Sequence, residues 1–351
     1  MTSPPDDSAP SHKRRPRYRG THPRRFEERY KELAAEKYPE IVPHILAKGG
    51  TPAGQHVPIM VAEILEVLAP ARGERGVDAT LGWGGHAQRL LERLVPGGQL
   101  LGLDADPIEL PRTEARLRRL GFGESAFTAR RTNFAGLRAA LAEVGWNEGA
   151  DFVLTDLGVS SMQLDNPARG FTFAAEGPLD MRMNPNRGLS ASVWLERATV
   201  KQLTQALRDH ADEPLAEHIA EALLARRGAI RTTQALAAAV REALAGQVPE
   251  DDAELSVRRV FQALRIEVND EFGALDALLR ELPHCLRPGG RAAVLTFHSG
   301  EDRRVKHAFT LGARAGHYAS VAREVIRASA GERRDNPRSR SAKLRWALRA
   351  E

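Results

Sequence analysis

Apolar positions along the 351-residue chain change their period twice. Over 58–68 they recur at helical spacing (Ile59, Ala62, Ile64, Leu65, Leu68), which predicts an amphipathic helix. Short apolar runs then alternate with helical stretches. Strands are predicted over 76–81, 99–103, 126–130 and 151–155, and helices over 86–94, 107–120 and 134–144. Regular strand–helix alternation predicts an α/β fold with a parallel, doubly wound sheet. Beyond Thr155 the alternation stops. A long loop is expected over 158–188, followed by helical spacing from 191 to about 245, with Leu203, Leu207, Leu215, Ile219, Leu223 and Leu224 marking apolar faces. No strand interrupts that stretch, so it reads as an inserted helical subdomain. One long helix is expected over 257–286, a turn at Pro288-Gly289-Gly290, a fifth strand over 291–297 and a terminal strand over 344–348. The expected division is a basic extension over 1–50, a first core part over 51–164, a loop and helical insertion over 165–256, and a second core part with a basic end over 257–351.

Composition narrows the setting. Apolar residues make up 42% of the chain, enough for a proper core. The single cysteine, Cys285, excludes a disulfide framework and fits a reducing, cytoplasmic location. The first twenty-five residues are polar and arginine-rich and read as a disordered arm, with a helix over 24–37 after it. No apolar signal region or membrane-length run is evident. The net charge of +5 is unevenly spread: residues 1–48 carry +4 and residues 323–349 carry +6, leaving the body mildly acidic. Basic ends around such a body suit a polyanion, although solvated tails that aid solubility give the same pattern.

Five segments carry candidate chemistry. In Asp78-Ala79-Thr80-Leu81-Gly82-Trp83-Gly84-Gly85-His86, glycines between a strand and a helix let a ligand approach the backbone and the helix N-terminus. Asp104, ending the next strand, can accept two ribose hydroxyls, an arrangement common to dinucleotide and S-adenosylmethionine sites. Asp156 ends the fourth strand, where a carboxylate beside an exocyclic amine can polarise its N–H. The loop residues Arg169-Gly170-Phe171-Thr172-Phe173, with Arg182 further on, can stack a base and hold its phosphates, or the two aromatics can merely anchor the loop to the core. Ser299, after His298, is expected to cap a following helix, and a hydrolytic reading of His298 with Asp156 and Ser160 fails because no Gly-x-Ser-x-Gly elbow is present. Asn336-Pro337-Arg338-Ser339-Arg340-Ser341-Ala342-Lys343-Leu344-Arg345 reads as a phosphate-binding strip or a solvated edge.

Together these segments resemble the bacterial ribosomal RNA small subunit methyltransferase H family. The matching stretches include Gln55-His56-Val57-Pro58, the loop from Gly82 to His86, and Leu103-Asp104-Ala105-Asp106-Pro107. The run from Asp156-Leu157-Gly158-Val159-Ser160-Ser161 through Gly177-Pro178-Leu179-Asp180-Met181-Arg182-Met183 is the most specific, and Phe261-Gln262-Ala263-Leu264-Arg265 and Phe297-His298-Ser299 follow in the family's order. The resemblance implies a class I methyltransferase (Rossmann-like) fold and S-adenosylmethionine-dependent N4-methylation of a cytidine in the decoding region of small-subunit ribosomal RNA, free or within the 30S subunit. It implies a donor held by Gly84, Gly85, His86, Asp104, Phe134, Asp156 and Gln163, without need of a metal or a membrane. That Asp156 is also the catalytic group is inferred from its strand-end position. Departures from the family pattern are Gly300 for Leu, Thr296 for Ser, Leu255-Ser256-Val257-Arg258 for His-Pro-Ala-Thr, and His210-Ala211-Asp212-Glu213 for Tyr-Gly-Glu-Glu. A DNA cytosine methyltransferase would carry an Asp/Ser-Pro-Pro-aromatic motif after the fourth strand, which this chain lacks; a non-catalytic RNA-binding assembly factor is the rival of another class.

Overall fold

The computed structural model describes residues 58–351. The basic arm, the helix expected over 24–37 and the Gln55-His56-Val57 part of the first motif lie outside the described residues. Seven strands form one sheet: β1 (Arg75–Asp78), β2 (Gln99–Asp104), β3 (Phe127–Arg131), β4 (Ala150–Asp156), β5 (Leu286–Thr296), β6 (Tyr318–Val321) and β7 (Lys343–Arg349), in the order β3-β2-β1-β4-β5-β7-β6. The first five are parallel, as the alternation predicts. The last two are antiparallel additions at one edge.

Both faces of the sheet are covered, which is why its central strands read as apolar runs rather than alternating ones. Leu100, Phe127, Phe152 and Leu154 point to one face, under α1 (Val61–Leu68), α2 (Gly85–Leu94) and α3 (Glu109–Arg119). Their neighbours Val77, Leu101, Leu103 and Val153 point to the other, under α4 (Leu137–Glu143), α11 (Glu271–Cys285) and α12 (Ser299–Arg314). Each fully buried Leu or Phe in these layers contributes about 1.5–3 kcal/mol.

Between β4 and β5 the chain leaves the sheet. After the short α5 (Ser161–Asp165) and a loop come α6 (Ala191–Arg197), α7 (Val200–Ala211), α8 (Ala216–Ala225), α9 (Thr233–Leu244) and α10 (Glu250–Asn269). Their apolar faces, including Leu203, Leu207, Ile219, Leu223 and Leu224, close a separate hydrophobic cluster together with Val257, Val260 and Leu264 of α10. Ser190, Thr199 and Thr232 cap three of these helices through their side-chain oxygens.

Several elements differ from the sequence expectation. The long helix over 257–286 is two helices, because Asp270 adopts a left-handed conformation (φ 48°) that ends α10 and opens α11. Asp is among the few residues that tolerate it. The fifth strand begins at Leu286, with an irregularity in its pairing that absorbs the Pro288-Gly289-Gly290 turn. The third helix starts as a 3-10 turn over Phe134–Gly136. Position 298, not Ser299, is the N-cap of α12, and Glu301 accepts from the backbone N–H of Phe297 at 2.7 Å. The edge strand β6 has no counterpart in the pattern, being four residues long with its two central residues exposed.

The loop over 166–190 is short of regular structure but tightly held. Gly170 takes φ 77°, and a Cβ there would lie 2.3 Å from the Pro178 oxygen, so only glycine lets the two strands of the loop meet. Met181 is also left-handed (φ 62°). The Asn269 side chain fixes it from α10, accepting from Met183 N at 2.7 Å and donating to Met181 O at 2.7 Å. Replacing Asn269 by Ala strands both backbone groups and is expected to cost about 1–3 kcal/mol. A lower urea midpoint with faster proteolysis within 166–190 checks this; an unchanged midpoint would show that the loop is held elsewhere.

Candidate active site

Three adjacent parallel strands, β2, β1 and β4, each end in an aspartate: Asp104, Asp78 and Asp156. The loop after β1 is stretched between its two neighbours. Ala79 N donates to Leu154 O and Leu81 N to Leu103 O, each at 2.8 Å. Gly82 N donates to the Asp104 carboxylate at 2.8 Å, and Thr80 Oγ1 accepts from Asp156 N at 2.6 Å. One six-residue loop therefore positions both outer carboxylates. Gly84 then turns the chain into α2 at φ 76°, where a Cβ would lie 2.8 Å from Thr113 Cγ2. Arg116 of α3 secures the turn, donating to Trp83 O and Gly84 O and lying over the Trp83 ring. No side chain caps α2, so its first N–H groups remain available to a ligand.

The electrostatics follow from crowding carboxylates at a buried edge. Burial pushes Asp104 up to about 6, even though it accepts from Asp106 N and Gly82 N. Burial likewise raises Asp78 to about 6. Asp156 rises to about 7, through burial and then through the charge of Glu301. Its side chain is 27% exposed, yet Oδ1 is buried with no hydrogen-bond partner. His86, in the first turn of α2, is buried between Ile59 O (2.9 Å from Nε2) and Asp156 Oδ2 (3.5 Å from Nδ1), and burial lowers its proton affinity.

Behind Asp104 sits a second carboxylate that the sequence motif contains without revealing its role. Asp106, 1% exposed, accepts from Ile108 N through Oδ1 and from both Gln163 Nε2 (2.9 Å) and Arg169 Nη1 (2.7 Å) through Oδ2. Arg169 also donates to the carbonyls of Arg182 and Met183. A buried pair of this kind joins the β2 end, the capping box of α5 and the long loop in one network, and removing one partner typically costs about 3–5 kcal/mol. Gln163 Oε1 accepts from Ser160 N, so both ends of that amide are engaged.

The sequence-predicted residues thus gather at one sheet edge. Gly84, Gly85 and His86 open α2, Asp104 and Asp156 flank β1, Gln163 stands behind Asp106, and Phe134 follows β3 in a 3-10 turn with its ring on the core. Arg169 and Arg182 are held by Asp106 and Asp180 rather than left for phosphates, whereas Phe171 and Phe173 anchor their segment. They pack on the insertion's cluster and also line a cavity of about 240 Å³ with Phe261, Phe297, His298 and Arg258. In the C-terminal motif, Arg338 pairs with Asp165 at 2.6 Å and Asn336 caps a 3-10 turn, while Arg333, Arg334 and Arg340 stand exposed beside them. Arg345 is buried against Asp302 and is structural. Arg116, Asp106 and Arg169 are the positioning residues whose roles pattern alone does not reveal; the loop of Arg169 also carries Glu176, Asp180, Arg182 and Arg187, so charge alone does not single it out.

Comparison with known proteins gives the family. The chain is 47% identical over 347 residues to ribosomal RNA small subunit methyltransferase H 1 of Agathobacter rectalis, covering 97% of this chain and 98% of that protein. It is 46% identical over 354 residues to the protein of the same name from Lachnoclostridium phytofermentans, covering 99% and 96%. It is 47% identical over 351 residues to ribosomal RNA small subunit methyltransferase H 2 of Alkaliphilus metalliredigens, covering 98% and 100%. Residues 53–350 match the sequence model of the MraW methylase family, and the chain belongs to that family.

Proposed function

We propose that this chain transfers a methyl group from S-adenosylmethionine to the N4 amine of a cytidine in the decoding region of small-subunit ribosomal RNA, met as RNA or within the 30S subunit. It is an S-adenosylmethionine-dependent methyltransferase of ribosomal RNA. The observation that carries the reading is the meeting of Asp104, Asp156 and the uncapped N-terminus of α2 at one edge of the sheet.

The residues present fit the donor. Asp104 and Asp156, carboxylates whose proton affinity burial raises, with Asp78 buried between them, favour a cationic sulfonium over a neutral or anionic ligand. The backbone of Gly84, Gly85 and His86 lines the turn, Asp104 takes the ribose hydroxyls, and Phe134 offers an apolar face to the adenine. Gln163 shapes the same wall through Asp106. When bound, the donor supplies an electrophilic methyl group on sulfur. Asp156 orients the N4 amine through its N–H, which turns the nitrogen lone pair toward that methyl. On transfer the donor would leave as a neutral thioether that keeps the carbon–sulfur electron pair, and Asp156 would take the N4 proton.

The aromatic cavity supports a flipped base as substrate. At about 240 Å³ it falls below the roughly 300 Å³ of sites for drug-sized ligands and suits a single pyrimidine. Arg258 is exposed at its wall and can meet the phosphate of the extruded nucleotide. Among the described residues no helix is long and apolar enough to cross a membrane.

Asp104→Ala is expected to weaken donor binding about tenfold or more, from the loss of charge-assisted hydrogen bonds, as read by calorimetry. Asp156→Asn should lower kcat about 10²–10⁴-fold in tritiated methyl transfer to purified small subunits. Because the base must be ionised, the wild-type rate should climb as pH rises through about 7; a rate flat from pH 6 to 8 would remove Asp156 as proton acceptor. Arg258→Ala should raise KM for the subunit and flatten its salt dependence by about one phosphate contact.

A further inference from the structure

The imidazole of His86 is not needed for the backbone role that its place in the glycine turn implies, yet it is buried, with one ring nitrogen hydrogen-bonded and the other facing a carboxylate. Nε2 lies 2.9 Å from the Ile59 carbonyl oxygen, and Nδ1 lies 3.5 Å from Asp156 Oδ2. A carbonyl only accepts, so the hydrogen of a neutral imidazole must sit on Nε2. The Nδ1 lone pair then faces the carboxylate.

We propose that His86 and Asp156 act as one proton-accepting unit, in which the Ile59 carbonyl fixes the Nε2–H tautomer and so aims the Nδ1 lone pair at Asp156 Oδ2. The inference rests on the reading of Asp156 as acceptor of the amine proton. In the ionised state two lone pairs oppose each other across this gap; a proton arriving on Oδ2 from the methylated N4 converts that repulsion into a hydrogen bond to Nδ1. No further proton or co-reactant is required. His86 is a positioning residue, since it acts on the amine only through Asp156.

The surroundings favour the same outcome. The charged groups that act most strongly on the pair are acidic: Asp78 from β1 and Glu332 from α13 (Ala330–Asp335) act on His86, Glu301 from α12 acts on Asp156, and Asp78 and Asp156 repel each other. Glu332 also accepts from Met60 N at 2.7 Å, next to the residue whose carbonyl holds His86. Burial keeps the imidazole neutral and raises the carboxyl to about 7, so the transferable proton belongs to Asp156. The remaining oxygen, Oδ1, is buried without a partner, which leaves the His86 side as the place where the incoming proton is stabilised.

Two substitutions separate this role from a packing role. His86→Gln can still donate to Ile59 O but presents no acceptor at the Nδ1 position. His86→Asn presents an acceptor there and gives up Ile59. The proposal expects the plateau of the rate–pH profile of His86→Gln to fall about tenfold and its acid limb to move to lower pH, whereas His86→Asn, slower than the parent but faster than His86→Gln, keeps its acid limb near the parent's position. A packing role predicts the reverse ranking, and that ranking, or two parent-like profiles, would overturn the proposal. Carbon-13 NMR of the Asp156 carboxyl in the donor-free protein supplies a second readout: its titration midpoint should drop in His86→Gln, and an unchanged midpoint would also overturn it. Should the variants fail to fold, nitrogen-15 NMR of the parent decides, since a hydrogen on Nδ1 rather than Nε2 above pH 7 is incompatible with the proposal. If the parent methylates no small-subunit RNA while the NMR results hold, the assigned reaction falls and the proton-accepting pair stands.

Discussion

The arrangement depends on one short loop that is hydrogen-bonded to two strands at once. Residues 79–82 satisfy backbone groups at the ends of β2 and β4 and, in the same span, hold the Asp104 carboxylate through Gly82 and the Asp156 backbone through Thr80. A parallel sheet presents its strand ends in a row, and this loop converts that row into a spacing between carboxylates. The raised proton affinities of Asp78, Asp104 and Asp156 record the cost of holding these carboxylates charged where burial strips away their water. A cation bound among them relieves it, which links the fold directly to the choice of a sulfonium donor.

The insertion is joined to this edge by polar contacts rather than by a shared core. Asp106 and Arg169 tie the long loop to β2, and Asn269 ties the same loop to α10. On the other side Asp212, at the end of α7, receives Arg303 and Ser299 of α12. Two departures from the family pattern are accommodated here. His210 pairs with Glu267 at 2.8 Å, and Gly300 leaves room for the Phe272 ring, since a Cβ at that position would lie 2.7 Å from Phe272 Cζ. The aromatic cavity is built largely from the loop and α10, so its shape depends on those polar ties.

Much of this was legible in the chain. Strand–helix alternation follows from burial on both sheet faces, and an apolar run that stops at an aspartate marks a strand end, as at Asp104 and Asp156. What pattern could not supply were features set by distant partners. Asp270 breaks a helix whose apolar spacing continues across it, because a left-handed residue leaves periodicity nearly intact. The edge strand β6 is too short and too exposed to alternate. Ser299 is a good capping residue by type, but Glu301 secures the start of α12 instead by reaching back to Phe297. The place of Arg169 on Asp106, sixty-three residues earlier in the chain, is a tertiary contact with no local trace.

The central claim is that a single adenosyl ligand lies against the α2 N-terminus with carboxylates on either side. A crystal structure of the protein with S-adenosylhomocysteine tests it most directly. The account predicts ribose hydroxyls on Asp104 and the thioether sulfur on the Asp156 side of the Gly84-Gly85 turn; a ligand bound away from this edge, or with its ribose turned from Asp104, would contradict it.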